Sequence, residues 1–168
     1  MSGTTALLVP ALAAVPLQRR AGTRPRRFVR REQPAHVTIV WPFLPIDRLD
    51  ESTDRELRRL AAGTAAFTAR FDRIGSFPDV IYLAPEDPAP FVALTRSVAG
   101  RWPECPPYGG EFPDVIPHVT LRRGELPAGA RLEDLLPVTV RVDELHLAVD
   151  HRWRGWRTER RYALRSSG

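Results

Sequence analysis

Twice in this chain a histidine and a threonine stand two residues apart in a short run of branched aliphatic residues closed by prolines. The first run is Pro34–Pro45, PAHVTIVWPFLP, and the second is Ile116–Pro127, IPHVTLRRGELP. His36, Val37 and Thr38 fall on His118, Val119 and Thr120 at an offset of 82, and Leu44 and Pro45 fall on Leu126 and Pro127 at the same offset. A second echo follows in the same order: Phe67–Arg73, FTARFDR, reads against Val138–Glu144, VTVRVDE, at an offset of 71. Two echoes in one order point to internal duplication. The 168 residues are therefore read as a single domain of two approximate repeats, 4–84 and 80–165, whose lobes exchange strands.

Both motif runs read as short strands. Side chains alternate along a strand, so His36 and Thr38 share one face, while Val37, Ile39 and Trp41 share the other and suit a core. His118 and Thr120 repeat the arrangement. If the halves face each other, two imidazoles and two hydroxyls line one cleft. Imidazole titrates near pH ~6.5, so one ring can be neutral while the other is protonated, which gives a general base and a general acid. The hydroxyls can hold phosphate oxygens between them. A single His-x-Thr is more often a packed or surface histidine; two copies in a duplicated frame reverse that weighting.

The paired motifs HVTIV and PHVTLRR resemble those of the two-histidine (2H) phosphoesterases, and within them the bacterial 2′-5′ RNA ligase and RNA 2′,3′-cyclic phosphodiesterase proteins. The resemblance in order and spacing runs from about Thr4 to Leu164; its specific part is the two motifs and their flanks. It implies an α+β fold: a two-lobed, duplicated α/β architecture with pseudo-two-fold symmetry, two antiparallel sheets flanking a central cleft, and helices outside. It also implies metal-independent chemistry, with His36 and His118 as acid and base on a cyclic phosphate of RNA or a nucleotide, and no cofactor. In the family the second motif often continues as His-x-Thr-x-x-Arg, which lands on Arg123. Strand alternation instead puts Arg122 on the face of His118 and Thr120. Gly124 can end the strand early and let Arg123 turn inward. The first copy has Trp41 at the matching place, so an arginine clamp would be one-sided. Tyr82, in a neighbouring strand, is a candidate to stack on a base, with core packing as the alternative.

Composition narrows the chemistry. All 25 basic residues are arginine, so no lysine is present to form a Schiff base, a nucleotidyl-lysine or a P-loop. A net charge of +5 favours anionic partners. Seven arginines between Arg19 and Arg31 precede the first motif; they form either a basic rim for a nucleic-acid backbone or a solvated loop. The single cysteine, Cys105, allows no internal disulfide, which fits a reducing, cytoplasmic setting. Ala6–Leu17 reads as a strand leading into a helix rather than a targeting signal. No apolar run reaches the ~18 residues of a membrane helix. A monomer with no membrane partner is expected. His146 and His151 stand apart from the pair, and no HExxH, His-x-His or Cys cluster suggests zinc.

Elsewhere the pattern predicts a helix over Asp50–Ala62 with Asp50 or Ser52 as cap, strands Phe67–Phe77 and Val80–Ala84, and a helix over Pro90–Trp102. A turn-rich loop, Pro103–Pro113, carries Tyr108 as a candidate lid. A shorter helix is expected at Ala130–Leu136, then a long hairpin of Val138–Val149 and Trp156–Leu164. Its tip interleaves Trp153 and Trp156 with arginines, a candidate stacking surface. Three functions remain open at this point: hydrolysis of 2′,3′-cyclic phosphates with possible reverse 2′-5′ RNA ligation, RNA or nucleotide binding without turnover, and phosphodiester cleavage in another small cyclic or 2′-5′ ester.

Overall fold

The structure is a computed structural model and describes residues 3–23, 34–151 and 155–166. Its strands are β1 (Thr5–Pro10), β2 (His36–Val40), β3 (Phe67–Phe77), β4 (Val80–Pro85), β5 (Val119–Arg123), β6 (Val138–Val142), β7 (Glu144–Asp150) and β8 (Trp156–Ala163). Among the described residues the α-helices are α1 (Val15–Arg20), α2 (Glu51–Gly63) and α3 (Ala89–Arg101). The strands lie in the order β6-β3-β4-β5-β2-β1-β7-β8, and the pairings are antiparallel. The architecture is mixed α/β, as expected. The two antiparallel sheets are four-stranded halves of one curled sheet, joined where β2 meets β5. That junction is a single registered pair, Val37 with Val119.

Strand, helix and motif strand recur on the two sides of the junction, as β1-α1-β2 and β4-α3-β5. β3 then crosses to pair with β4, and β7 crosses to pair with β1, so each half is completed by chain from the other. The segments of the second sequence echo fall on β3 and β6, which pair side by side, with Phe67 opposite Val142 and Phe71 opposite Val138. They are neighbours within one half. By strand order outward from the junction, the counterpart of β3 is β7.

Two expected elements differ. The Val138–Val149 run breaks at Asp143, whose carbonyl accepts the Leu164 N–H at 2.8 Å. β6 and β7 consequently belong to opposite halves, and the terminal hairpin is β7–β8 alone. The helix expected at Ala130–Leu136 is one 3-10 turn, Glu133–Leu135. Gly129, at φ 77°, precedes it and Pro137, which has no N–H to donate, follows.

Helix packing explains which strand face is free for chemistry. Asp50 caps α2 by accepting the Thr53 N–H at 2.8 Å, and Leu57 and Ala61 are buried beneath it. On α3, Phe91, Leu94 and Val98 form the buried stripe, and Phe91 meets Phe67 and Phe71 at centroid distances of 5.1 and 5.9 Å. Phe71 is wholly buried, so its truncation to alanine would cost about 3–5 kcal/mol. Thr95 of α3 donates to the Ile39 carbonyl at 3.2 Å, which binds the helix to β2. Val37 and Ile39 face this core at 1% exposure, leaving His36 and Thr38 half-buried on the opposite face. Trp41 departs from the expected core face: β2 ends at Val40, and Trp41 is 43% exposed just beyond it. Among the described residues no helix is long and apolar enough to cross a membrane.

Candidate active site

The junction of the halves brings the two motifs together. Val37 and Val119 are partners in an antiparallel pair, so the residues flanking them face each other in crossed fashion. His36 comes beside Thr120, and Thr38 beside His118. Both valines are buried on the core side, at 1% and 0% exposure, and the four polar side chains are half-buried on the other. Opposed side chains in such a pair start about 4.5–5.5 Å apart at Cβ. Two imidazoles and two hydroxyls thus surround one small patch, drawn from segments 82 residues apart in sequence.

Each ring is fixed in the same way. His36 Nδ1 lies 2.7 Å from the Pro34 carbonyl, and His118 Nδ1 lies 2.7 Å from the Ile116 carbonyl. A carbonyl only accepts, so Nδ1 carries the proton in both rings and Nε2 is left as the titrating nitrogen. Burial pushes both imidazoles below their ordinary value of 6.5; the carbonyl bonds oppose this. Charge on His118 lowers His36 further, so the two rings sense each other. That coupling favours one proton shared between two sites over two protons, the distribution an acid–base pair needs.

Their surroundings differ. Phe77 meets the His118 ring edge-on at 5.3 Å, and Tyr82 lies tilted against it at 5.4 Å. Phe77 and Tyr82 are stacked on each other at 4.4 Å. Among the described residues no aromatic ring packs on His36.

The arginines separate clearly. A β-bulge lies where β4 meets β5: Ile81 is opposite Arg122 and Tyr82 is opposite Thr120, which leaves Leu121 as the extra residue. Arg122 donates through Nη1 to the Ala21 carbonyl at 3.0 Å and through Nε to the Glu125 carbonyl, so its guanidinium is engaged by backbone. Arg123 is exposed, and its charge lowers the His118 pKa. Gly124 follows at φ 78° and ends the strand, but not early: Arg123 is its last residue, still paired with Val80. Two residues that sequence reading passed over also hold this strand. Gln18 Nε2 donates to the Thr120 carbonyl at 2.9 Å, and Thr23 Oγ1 donates to the Leu121 carbonyl at 2.6 Å. They satisfy the β5 edge where β2 pairs with it only once. A lone glutamine and threonine near a short helix carry no sequence signal for such a task.

The remaining candidates lie elsewhere. His146, 8% exposed, bonds Glu144 at 2.8 Å, and His151 bonds Glu159 at 2.6 Å. Among the described residues no group of three His, Cys, Asp or Glu side chains is placed to hold a metal ion. Tyr108 has φ 52° and meets Phe112 edge-on at 5.9 Å, while burial raises its hydroxyl pKa. A cavity of about 350 Å³ is lined by Pro42–Pro45, Arg48, Glu104, Cys105, Pro106 and Gly109, and does not include the histidines. Arg24, Arg26, Arg27, Arg30 and Arg31 of the basic segment, and Trp153 of the hairpin tip, lie outside the described residues.

Fold and paired motifs define a two-histidine phosphoesterase, and the sequence pattern of the 2′-5′ RNA ligase superfamily matches residues 9–154. The chain belongs to that superfamily. Among curated protein sequences none matches it. In three dimensions it is similar to the TT0787 protein of Thermus thermophilus, with a TM-score of 0.65, 24% identity, and 100% of both chains covered. It is also similar to E. coli LigT crystallised with 3′-AMP, with a TM-score of 0.61 and 18% identity over 98% of this chain and 99% of that one. LigT complexed with ATP matches at a TM-score of 0.57 and 17% identity over 98% of each chain. At these identities the likeness establishes the fold.

Proposed function

We propose that the chain hydrolyses 2′,3′-cyclic phosphates of RNA or nucleotides without metal. The observation that carries this reading is the crossed His-x-Thr pair at Val37–Val119, with both Nδ1 atoms held by carbonyls and both Nε2 atoms left for proton transfer. One histidine takes a proton from water as the water oxygen bonds to phosphorus. The other gives a proton to the ribose oxygen as its bond to phosphorus breaks. Thr38 and Thr120 hold the non-bridging oxygens. Arg123 balances the charge that builds on them. Arg122 bears on substrate through the loop it anchors. Tyr82 shapes the His118 side of the patch, where the base of the substrate would approach. Crystals of E. coli LigT with 3′-AMP and with ATP support a nucleotide ligand for this fold.

Run in reverse, the same site joins a cyclic phosphate end to a 5′-hydroxyl. The strained ring supplies the energy, since no lysine is available to carry a nucleotidyl group. Joining then needs no ATP and fails when the cyclic end is opened to a monophosphate.

The test is a panel of nucleoside 2′,3′-cyclic phosphates, 2′-5′ dinucleotides and 3′-5′ dinucleotides, with product analysis. Ring opening of the cyclic phosphates is expected. Tight binding of the whole panel with no turnover would identify a binding module instead, and cleavage confined to 2′-5′ dinucleotides would move the substrate to that ester.

A further inference from the structure

Opposite Tyr82 in the β3–β4 pair stands Gly75. A Cβ built at Gly75 would lie 2.4 Å from Tyr82 Cζ, 2.6 Å from its hydroxyl oxygen and 2.7 Å from Cε2, so the end of the tyrosine ring occupies the space that any other residue's side chain would fill. The ring is further confined by Phe77, stacked at 4.4 Å, and it leans on His118 at 5.4 Å. Phe77 also reaches His118 directly, at 5.3 Å. From these contacts we infer that Gly75, acting through Tyr82, and Phe77, acting both directly and through Tyr82, are positioning residues for His118. β3 thus holds the histidine of the second motif from two strands away. The inference rests on the acid–base reading of the site, and it assigns Tyr82 to orienting the imidazole rather than to stacking on a base.

The reasoning is steric. The Ile116 carbonyl fixes one nitrogen of His118 but leaves the ring free to swing about that bond. Two aromatic contacts on one side remove the swing and hold Nε2 toward the phosphate. The ring of Tyr82 can lie where it does because residue 75 has no side chain. His36 has the carbonyl bond alone among the described residues, so the effect should be confined to one histidine. Among the described residues the charges felt at this pair are those of Arg123 from β5 on His118 and of His118 on His36 from β2.

Three variants test this: Gly75→Ala, Tyr82→Ala and Tyr82→Phe, with the double variant of the first two. Gly75→Ala should lower kcat about 10-fold or more with KM within about twofold, as a small misplacement of a catalytic group does. Tyr82→Phe should leave the His118 ring signals where they are in the parent, because the ring that leans on the imidazole is kept. In the Tyr82→Ala background, adding Gly75→Ala should cost nothing further, because the atom it displaces is gone. Ring NMR signals of His118 should move in Gly75→Ala while those of His36 stay, with melting temperatures tracked throughout. Independent, multiplying effects of Gly75→Ala and Tyr82→Ala, or an unmoved His118 signal, would overturn the inference. If the parent turns over no cyclic phosphate, the functional reading fails, and the NMR comparison on the free protein still decides this one.

Discussion

The two halves present the same pair of groups, one imidazole and one hydroxyl, in unlike settings. Around His36 the strand is braced by helix α3 through Thr95, and among the described residues the imidazole has a carbonyl bond and no aromatic neighbour. Around His118 the strand is braced by Gln18 and Thr23, and the imidazole carries two aromatic neighbours and an arginine charge besides its carbonyl bond. Duplication accounts for what is common: the carbonyl two residues back, the threonine two residues on, and a buried valine between. What differs is the side chains that matching elements carry: Gln18 on α1 against Thr95 on α3, and Phe77 and Tyr82 on β3 and β4. The chemistry is therefore symmetric and its support is not. Substitutions inside the motifs should act alike in both halves, and substitutions around them should not.

Replacing either His36 or His118 with alanine should lower turnover about 10²–10⁴-fold, because each supplies a proton transfer. A large loss at one and none at the other would break the symmetry at its base. Thr38→Ala and Thr120→Ala should each cost about 10–10²-fold in kcat, below the 10²–10³ typical of a lost oxyanion donor, because two hydroxyls share the phosphate. A loss confined to one threonine would place the phosphate off the axis of the pair.

The arginines sharpen the contrast outside the motifs. Arg123→Ala should reduce kcat/KM about 10-fold with little change in melting temperature, since its side chain is exposed. Arg122→Ala should do the opposite, lowering the melting temperature by releasing the Ala21 and Glu125 carbonyls. Thermal melts beside steady-state kinetics separate the two, and the reverse pattern would give Arg122 the substrate.

The pH dependence is expected to be bell-shaped. Both imidazoles lie below 6.5 in the free protein, so the singly protonated pair is most populated at a pH under that value. The optimum of kcat/KM should fall there, while the profile of kcat should move to higher pH, since a bound phosphate anion favours the imidazolium. The same shifts bear on stability. A histidine whose folded pKa is lowered leaves the unfolded chain binding more protons below about 6.5, so stability declines as pH falls through that value and levels off below the folded pKa. Replacing both histidines with glutamine should flatten that decline slightly. An optimum of kcat/KM well above 6.5 would contradict the burial of the pair. The smallest expected effect is His146→Ala, which removes a buried contact to Glu144 and should leave turnover within about twofold of the parent.

Much of this was legible in the sequence, for a physical reason. His-x-Thr in a β-branched run fixes both the strand and the face, and two copies fix the pairing of halves. The strands β3 and β4 and the helices α2 and α3 announced themselves by period and by capping residues such as Asp50. The break at Asp143 did not, because an alternating run such as Val138–Val149 looks the same whether one strand or two strands use it. Trp41 was misplaced because alternation continues on paper past the end of β2. The choice between Arg122 and Arg123 was open because the bulge at Leu121 depends on β4, which is distant in sequence. Gln18, Thr23, Gly75 and Phe77 were invisible as site residues. Each acts through a partner that only the fold supplies.

The central claim is that the paired histidines, without a metal ion, perform the proton transfers. Hydrolysis of a nucleoside 2′,3′-cyclic phosphate with excess chelator, by the parent, His36→Ala and His118→Ala side by side, tests it most directly. The account predicts a parent rate that chelator leaves unchanged and a deep, comparable loss in both variants with the fold retained. A parent rate abolished by chelator and restored by zinc, or full activity in either variant, would contradict it.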